Sequence, residues 1–507
     1  MAAEGVVGLD VGTTAVKAGV YTPAGAEIAV ASRDHPLRSP APGWAEQDPD
    51  EVVAATVDAL AEVTAAARDT GTDIRGISVS TPMHGLLGLD ADGRPLTPVV
   101  TWADTRARDD ADALRAHHID VYRRTGTPLH PMAPLAKLRW FHRERPDLAG
   151  QVHTWVTIKE HILAALTGTL AIDRSSASAT GMLDLRGGGW DTEALELAHV
   201  DATQFAPIVA TDEVVGGLTR AQADATTLPA GTPVVAGATD GVLANLGVGA
   251  LGGGGIGAVT IGTSGAVRLT VDRPTTDGQM RTFCYTLTDD LWVVGGAISN
   301  GGLWLRWLRD EVFDDDLDDG QLSTLAAQVP AGSDGVTVLP YLTGERAPQW
   351  SADPAGVVFG LRLRHGRAHL VRAGMEGVAH QLRLVTDALA DGGHEVTRLR
   401  ATGGFTRSEV WLQTVADVLD VPLEIPAVSE AVAFGAAVLG MSALDLLDGV
   451  EQVAELVSIA TSCDPDPRQR SPHDAAHARY VELVDVLTGP FTRLARAGDD
   501  DGGHRGA

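Results

Sequence analysis

Asp10 stands at the end of an apolar run, Val6-Val7-Gly8-Leu9, and is followed by Gly12-Thr13-Thr14 and a second apolar stretch over residues 16–21. The pattern predicts a strand, a tight turn and a returning strand, with Asp10 delivered to the turn. Such a turn offers backbone N–H groups and two hydroxyls to a phosphate, because glycine lets the main chain come close. A carboxylate beside it can hold a hydrated magnesium ion. Lys17, on the returning strand, joins Asp10, Gly12, Thr13 and Thr14 in the candidate phosphate-binding set. Surface hairpins use the same residue types, so this stretch alone does not decide the matter.

Residues Val259-Thr-Ile-Gly-Thr-Ser-Gly265 repeat the hairpin, with Gly262, Thr263 and Ser264 in the places of Gly12, Thr13 and Thr14. The copies lie about half a chain apart, too far for a solenoid repeat and suited to two related domains. Thr260 takes the place of Asp10, so only the first hairpin carries a carboxylate. One half would then handle metal-bound phosphate and the other would supply neutral donors, a nucleotide being clamped between two lobes.

Asp240 is the sharpest single candidate. It ends an apolar run, Pro233-Val-Val-Ala-Gly-Ala238, and precedes Gly241-Val-Leu-Ala-Asn-Leu246, which reads as a helix start. One reading is a helix N-cap, worth about 1 kcal/mol of helix stability. The other is a catalytic base and metal ligand. Carboxylates at the carboxyl ends of parallel strands lie where α/β folds place ligands, and phosphoryl transfer to an alcohol needs an acceptor for the hydroxyl proton. Thr402-Gly403-Gly404-Phe405 follows another β-rich stretch and precedes a helix beginning near Ser408. Glycines there would let a flat ligand or a phosphate reach the main chain at a helix N-terminus. The P-loop pattern GxxxxGK[ST] is absent, and no GxGxxG follows the first strand, which counts against a dinucleotide enzyme.

Three polar clusters in the first half could form an acceptor pocket: Met83-His84-Gly85, Trp102-Ala-Asp104-Thr-Arg106 and His130-Pro-Met132. Together they offer one apolar face and several directional donors and acceptors, which suits a polyhydroxylated ligand.

The elements that must position these groups alternate strand and helix. A third strand is expected over residues 28–32, a helix over 49–68 with Asp48 as N-cap, and strands over 74–80 and 98–102. A helix follows over 105–117, a loop over 122–134, a helix over 135–143 and an apolar strand over 232–239. The glycine run 252–255 marks the domain boundary, giving domains 1–250 and 251–495 and a disordered tail at 496–507. In the second half, helices are expected over 302–309, 368–391, 409–419 and 430–443. A closing helical stretch over 475–497 is expected to break at Gly489-Pro490.

At 507 residues and 44% hydrophobic content, the chain supports two α/β domains. The net charge of −28 argues against a nucleic-acid partner. Only Lys17, Lys137 and Lys159 are lysines, a scarcity that reads as a coding preference for arginine. Cys284 and Cys463 lack metal or redox spacing, and neither a leader nor a long apolar span occurs. The expectation is a soluble cytoplasmic protein with no membrane partner.

With both hairpins, Asp240 and the glycine turn in place, the chain resembles the FGGY family of carbohydrate kinases over about residues 6–445. Met132-Ala-Pro-Leu-Ala-Lys-Leu-Arg-Trp-Phe141 is similar to its first signature, with Pro134, Lys137 and Trp140 in register. Gly356-Val-Val-Phe-Gly-Leu361, with His369 and Ala373-Gly-Met-Glu376, is similar to the second. The resemblance implies the two-domain actin-like (ribonuclease H-like) ATPase fold of sugar kinases, a ligand cleft between the domains, and ATP with Mg2+ as cofactors.

By the same resemblance Asp10 organises the metal, Thr13, Thr14, Thr263 and Ser264 contact phosphates, Gly403 and Gly404 border adenosine, and Asp240 is the base. Phe405 stands where relatives often carry a third glycine. Within the family, the stretches 101–106, 124–132 and 296–302 are most similar to gluconate kinases, with Arg106 and Lys137 as candidates for the carboxylate of the acceptor. The implied reaction is ATP-dependent phosphorylation of the terminal hydroxyl of D-gluconate to 6-phosphogluconate. The alternatives are a xylulose kinase or another sugar or polyol kinase of the family and, from a different class, a non-catalytic actin-fold ATPase. A homodimer is left open.

Overall fold

The computed structural model describes residues 3–251, 253–313 and 317–502. They form two compact units, one made of Met1–Gly253, Thr270–Val294 and Ala427–Ser458, the other of Gly254–Leu269, Gly295–Pro426 and Ile459–Ala507. Gly252 of the expected boundary and residues 503–507 of the expected tail lie outside the described residues.

The first unit is built on β1 (Glu4–Val11), β2 (Ala15–Tyr21), β3 (Glu27–Asp34), β4 (Asp73–Ser80), β5 (Val214–Gly217) and β6 (Pro233–Val235). Their order in the sheet is β5-β6-β4-β1-β2-β3. The hairpin β1–β2 places Asp10 opposite Lys17, while β4 runs parallel to β1 and sets Ser80 beside Asp10. Helix α1 (Pro49–Asp69) starts where expected, its N-cap Asp48 accepting from the N–H groups of Asp50 and Glu51. Its Val52, Leu60 and Val63 join Val7, Leu9 and Val16 in one core, each such side chain contributing about 1.5–3 kcal/mol on burial. Helices α2 (Pro134–Glu144), α3 (Ile158–Thr167) and α4 (Asp240–Gly247) complete the site's frame. The helix Ala431–Ala443 crosses β1 at main-chain distance: a Cβ on Gly8 would lie 1.8 Å from the Ala433 carbonyl oxygen, so only glycine fits there.

In the second unit, β7 (Ile256–Ile261) and β8 (Gly265–Val271) form the second hairpin, with Thr260 opposite Ala266. Then β9 (Arg398–Thr402) lies parallel to β7, β10 (Leu423–Pro426) parallel to β9, and β11 (Ile459–Cys463) antiparallel to β10. The helices that bear on the site are α5 (Leu303–Trp307), α6 (Arg367–Asp391) and α7 (Glu409–Leu419).

Several elements differ from expectation. The apolar run 232–239 is a strand only over Pro233–Val235, because its later carbonyls serve a buried ammonium rather than a ladder. Within the expected loop 122–134, Ile119–Thr125 completes a helical turn that ends on a left-handed Gly126. The last helix, α8 (Arg470–Gly502), runs through Gly489-Pro490 and into the expected tail. Tyr480 before the proline and Phe491 after it both bury against Leu339 and Tyr341, which holds the two halves in line. Cys284 and Cys463 are unpaired thiols. Among the described residues, no helix is long and apolar enough to cross a membrane.

Candidate active site

The carboxyl end of β4 organises the acidic part of the first unit. Ser80 lies beside Asp10, Thr81 bridges to Thr239, and the Asp240 N–H donates to the Thr81 carbonyl at 2.9 Å. Asp240 is the first residue of α4, and the capping position belongs to Thr239, so the N-cap reading of Asp240 does not hold. The Asp240 carboxylate accepts instead from the N–H of Gly241 at 2.6 Å.

Burial first, and the neighbouring Asp240 carboxylate second, push the Asp10 carboxyl up to about 7; Lys17 acts in the opposite direction and Glu430 adds to the rise. Lys17 itself is paired with Glu430 at 2.7 Å. A buried carboxyl raised by a second carboxylate in this way marks a site in which a divalent cation would relieve the repulsion. Among the described residues no group of three or more His, Cys, Asp or Glu makes a ready metal cage. Two hard oxygen donors without a cage fit an ion such as magnesium, which keeps several waters and takes phosphate oxygens as further ligands.

The turn after Asp10 is closed by the Gly12 N–H donating to Ala15 at 2.8 Å. The Thr13 hydroxyl accepts from the Trp102 indole N–H at 2.9 Å, and the Thr13 carbonyl accepts from Gln47 at 2.8 Å. Thr14 is exposed. The Gly12-Thr13-Thr14 turn and the Trp102 loop are therefore one connected structure.

The three predicted polar clusters have distinct settings. His84 adopts a left-handed conformation, φ 66°, and its Nδ1 lies 2.7 Å from the Ala179 carbonyl, to which it must donate. In the neutral ring Nε2 is then the acceptor, and it faces the Tyr285 hydroxyl at 3.3 Å. Met83 is half-buried next to it. His130 is buried, its Nδ1 accepting the Met132 N–H at 3.2 Å.

Arg106 makes two bonds to Asp104 through Nε and Nη2, a third to Glu46 at 2.6 Å, and stacks on Trp44 with 3.6 Å to the ring centroid. Asp104 also accepts the Ala45 N–H at 2.7 Å. Lys137 gives its ammonium to three backbone carbonyls. The two cations expected to meet a ligand carboxylate are thus both committed to internal partners.

The second unit holds a cavity of about 530 Å³ lined by the predicted Gly262, Thr263, Gly404 and Ser408, and by Phe405. Ser264 and Gly403 are not among the residues that line it. Gly403 has φ 100°, and a Cβ there would lie 2.4 Å from the Ile261 carbonyl oxygen, so the turn requires glycine. Phe405 is buried and packs edge-on against Trp411 at 6.2 Å, closing one side of the cavity. Ser408 caps α7, accepting from Trp411 at 3.3 Å and from the Ser323 hydroxyl at 2.8 Å.

Sequence reasoning missed the cavity's charge. Arg306, Arg309 and Arg407 line it, and Arg306 donates to the Thr263 hydroxyl at 2.7 Å. Asp319 lines the cavity too and pairs with Arg309 at 3.5 Å, and Arg309 also bonds Asp310 at 2.7 Å, so the local basic wall suited to a polyphosphate is carried by Arg306 and Arg407. The spacing of Arg306 and Arg309, one helical turn apart behind Gly301-Gly302, was the available signal. Glu430, beside Lys17, carried none, since it reads as an ordinary helix start.

Residues 5–247 match the N-terminal domain of the FGGY family of carbohydrate kinases, and residues 257–444 match its C-terminal domain. The chain is 39% identical over 506 residues to a gluconokinase of Bacillus subtilis (strain 168), covering 97% of both proteins. It is 28% identical over 488 residues to a xylulose kinase of Staphylococcus epidermidis, covering 95% of the chain and 97% of that protein. The crystal structure of a gluconate kinase from Lactobacillus acidophilus superposes with a TM-score of 0.92 at 31% identity, over 97% of this chain and all of the other. With both of its domains matched and its two-domain fold shared, the protein belongs to the FGGY family of carbohydrate kinases.

Proposed function

We propose that the protein transfers the terminal phosphoryl group of ATP to the terminal hydroxyl of D-gluconate, giving 6-phosphogluconate and ADP. The observation that carries the reading is the pair of Asp10, near the carboxyl end of β1, and Asp240, the first residue of α4, close enough for the Asp240 charge to act on Asp10. Asp240 accepts the proton of the attacking hydroxyl, and the turn of Gly12, Thr13 and Thr14 receives phosphate oxygens. Asp10, with Asp240, would hold Mg2+, which when bound neutralises charge on the phosphates. In the second unit, the basic wall of Arg306 and Arg407 receives phosphates, and the turn at Gly403-Gly404 borders the adenosine. His84, Trp102 and His130 line the acceptor pocket. Asp104 and Arg106 hold its shape.

Gluconate as acceptor is supported by the higher similarity to gluconokinases than to xylulose kinases. The internal commitment of Arg106 and Lys137 favours a second reading, a neutral ketose such as D-xylulose, because neither cation is left for a carboxylate. A panel of aldonates, ketoses and polyols in a coupled ADP assay tests the assignment. Gluconate should give the highest kcat/KM; a higher value for xylulose or glycerol overturns it.

A further inference from the structure

Only Lys17, Lys137 and Lys159 among the 39 Lys and Arg residues are lysines, and two of them are buried: Lys137 is 1% exposed and Lys159 is fully covered. Each ammonium is clipped to three backbone carbonyls. Lys159, in the first turn of α3, donates to Val79 near the end of β4, to Ala236 at 2.9 Å and to Ala238 at 3.0 Å. The last two lie in the segment that leads from β6 to Asp240. Asp173 supplies the counter-charge at 3.6 Å and is held by Ser176. Ser175 adds a second tether, its hydroxyl 3.0 Å from that of Thr239 and accepting the Thr239 N–H at 3.2 Å.

Lys137, in α2, does the same for the acceptor loops. It donates to His84 at 2.6 Å, to Thr101 at 2.7 Å and to Val100 at 3.1 Å. His84 lines the predicted pocket, and Thr101 precedes Trp102.

The chemistry favours lysine at both places. Three accepting carbonyls converging on one point match the three donors of a protonated ammonium. A guanidinium is a planar fork and cannot meet them with one nitrogen. Burying a charge is costly, and burial lowers the pKa of both lysines, that of Lys137 to about 7; the three carbonyl acceptors at each ammonium offset part of that cost. The carbonyls would otherwise be left unpaired where neighbouring strands diverge.

We propose that Lys159 and Lys137 are positioning residues for the transfer: Lys159 fixes the main chain that carries Asp240, and Lys137 fixes the His84 and Trp102 loops around the acceptor. The inference rests on the assignment of Asp240 as base and of those loops as acceptor pocket. It separates the two lysines by what each should change. The aim of Asp240 matters to the chemical step, whereas the aim of the loops matters to acceptor binding.

Steady-state kinetics of Lys159→Met and Lys137→Met, with turnover normalised to nucleotide-binding sites, test it. Lys159→Met should lower kcat at least tenfold with acceptor KM within about threefold of wild type. Lys137→Met should raise acceptor KM at least tenfold with a smaller loss of kcat. The arginine variants should restore neither parameter. A folded Lys159→Met enzyme with kcat within twofold of wild type, or both methionine variants shifting the same parameter, overturns the proposal.

If Lys159→Met does not fold, Ser175→Ala, which removes only the tether on Thr239, decides: kcat should fall at least threefold at unchanged KM, and an unchanged kcat overturns the idea. Asp240→Ala measured alongside separates the two levels of the argument. Full turnover in that variant removes the base assignment itself, whereas a dead Asp240→Ala with an unaffected Lys159→Met removes only the positioning role.

Discussion

The two hairpins share one backbone plan and differ in the side chains it carries. In the first, Asp10 sits opposite Lys17 and beside Ser80; in the second, Thr260 sits opposite Ala266 and beside Thr402. The parallel neighbour strand ends at Ser80 in one case and at Thr402 in the other. Around Asp10 the charges are Asp240, Glu430 and Lys17, so the ensemble is acidic. Around Thr260 the partner is the Thr402 hydroxyl at 3.0 Å, and charge enters from outside the hairpin, through Arg306 on Thr263. The difference teaches a division of labour. On the proposed reading, a turn with a carboxylate beneath it would reach phosphate through a cation, while a neutral turn beside guanidinium groups would meet phosphate directly.

The largest effect should come from the acidic side. Asp240→Ala should lower kcat by on the order of 10³-fold, while nucleotide binding to the isolated fold, followed by fluorescence or calorimetry, stays near wild type. Near-normal turnover would dissolve the contrast between the hairpins. Asp10→Asn keeps the shape and removes the charge. Its kcat should fall roughly 10²-fold, and the magnesium concentration needed for half-maximal rate should rise; an unchanged magnesium dependence would detach Asp10 from the metal.

On the neutral side the effects should be on binding. Arg306→Ala removes the donor to Thr263 and part of the basic wall, so KM for ATP should rise about tenfold, the scale of one charge-assisted hydrogen bond. A change in kcat alone would place Arg306 elsewhere in the mechanism. The smallest effect is expected for Thr260→Val, which deletes the bond to Thr402 at constant shape. Thermal unfolding should register a loss of about 1 kcal/mol, with turnover unchanged. A large loss of turnover would mean that the second hairpin does more than hold a neutral turn.

Much of this contrast was legible in the residues. Gly12-Thr13-Thr14 and Gly262-Thr263-Ser264 lie in the predicted turns, and Asp48 caps the predicted helix. Local signals of this kind survive folding because turn chemistry, strand alternation and capping act over a few residues. The length of the strand before Asp240 was not legible. Its apolar residues are compatible with continued pairing, but the carbonyls of Ala236 and Ala238 turn to Lys159, a residue in a distant helix. The helix through Pro490 was misjudged for a similar reason: local propensity favours a break, and burial of Tyr480 and Phe491 outweighs it. Arg106 and Lys137 looked like ligand cations because charge is visible in a sequence, whereas a charge's partners are not.

The amino-acid sequence alone determined the two matching glycine-threonine hairpins, the carboxylate that only the first of them carries, the glycine turn at Gly403-Gly404 and the family these motifs resemble. Each depends on residue type at short spacing, where steric and hydrogen-bonding rules act locally. Tertiary structure alone decided which charges meet. It set Asp240 beside Asp10, spent Arg106 on Asp104 and Glu46, and buried two of the three lysines under the strand ends and loops they hold. The physical reason is that electrostatic partnership depends on distance and burial, and both are created only when segments far apart in the chain are packed together.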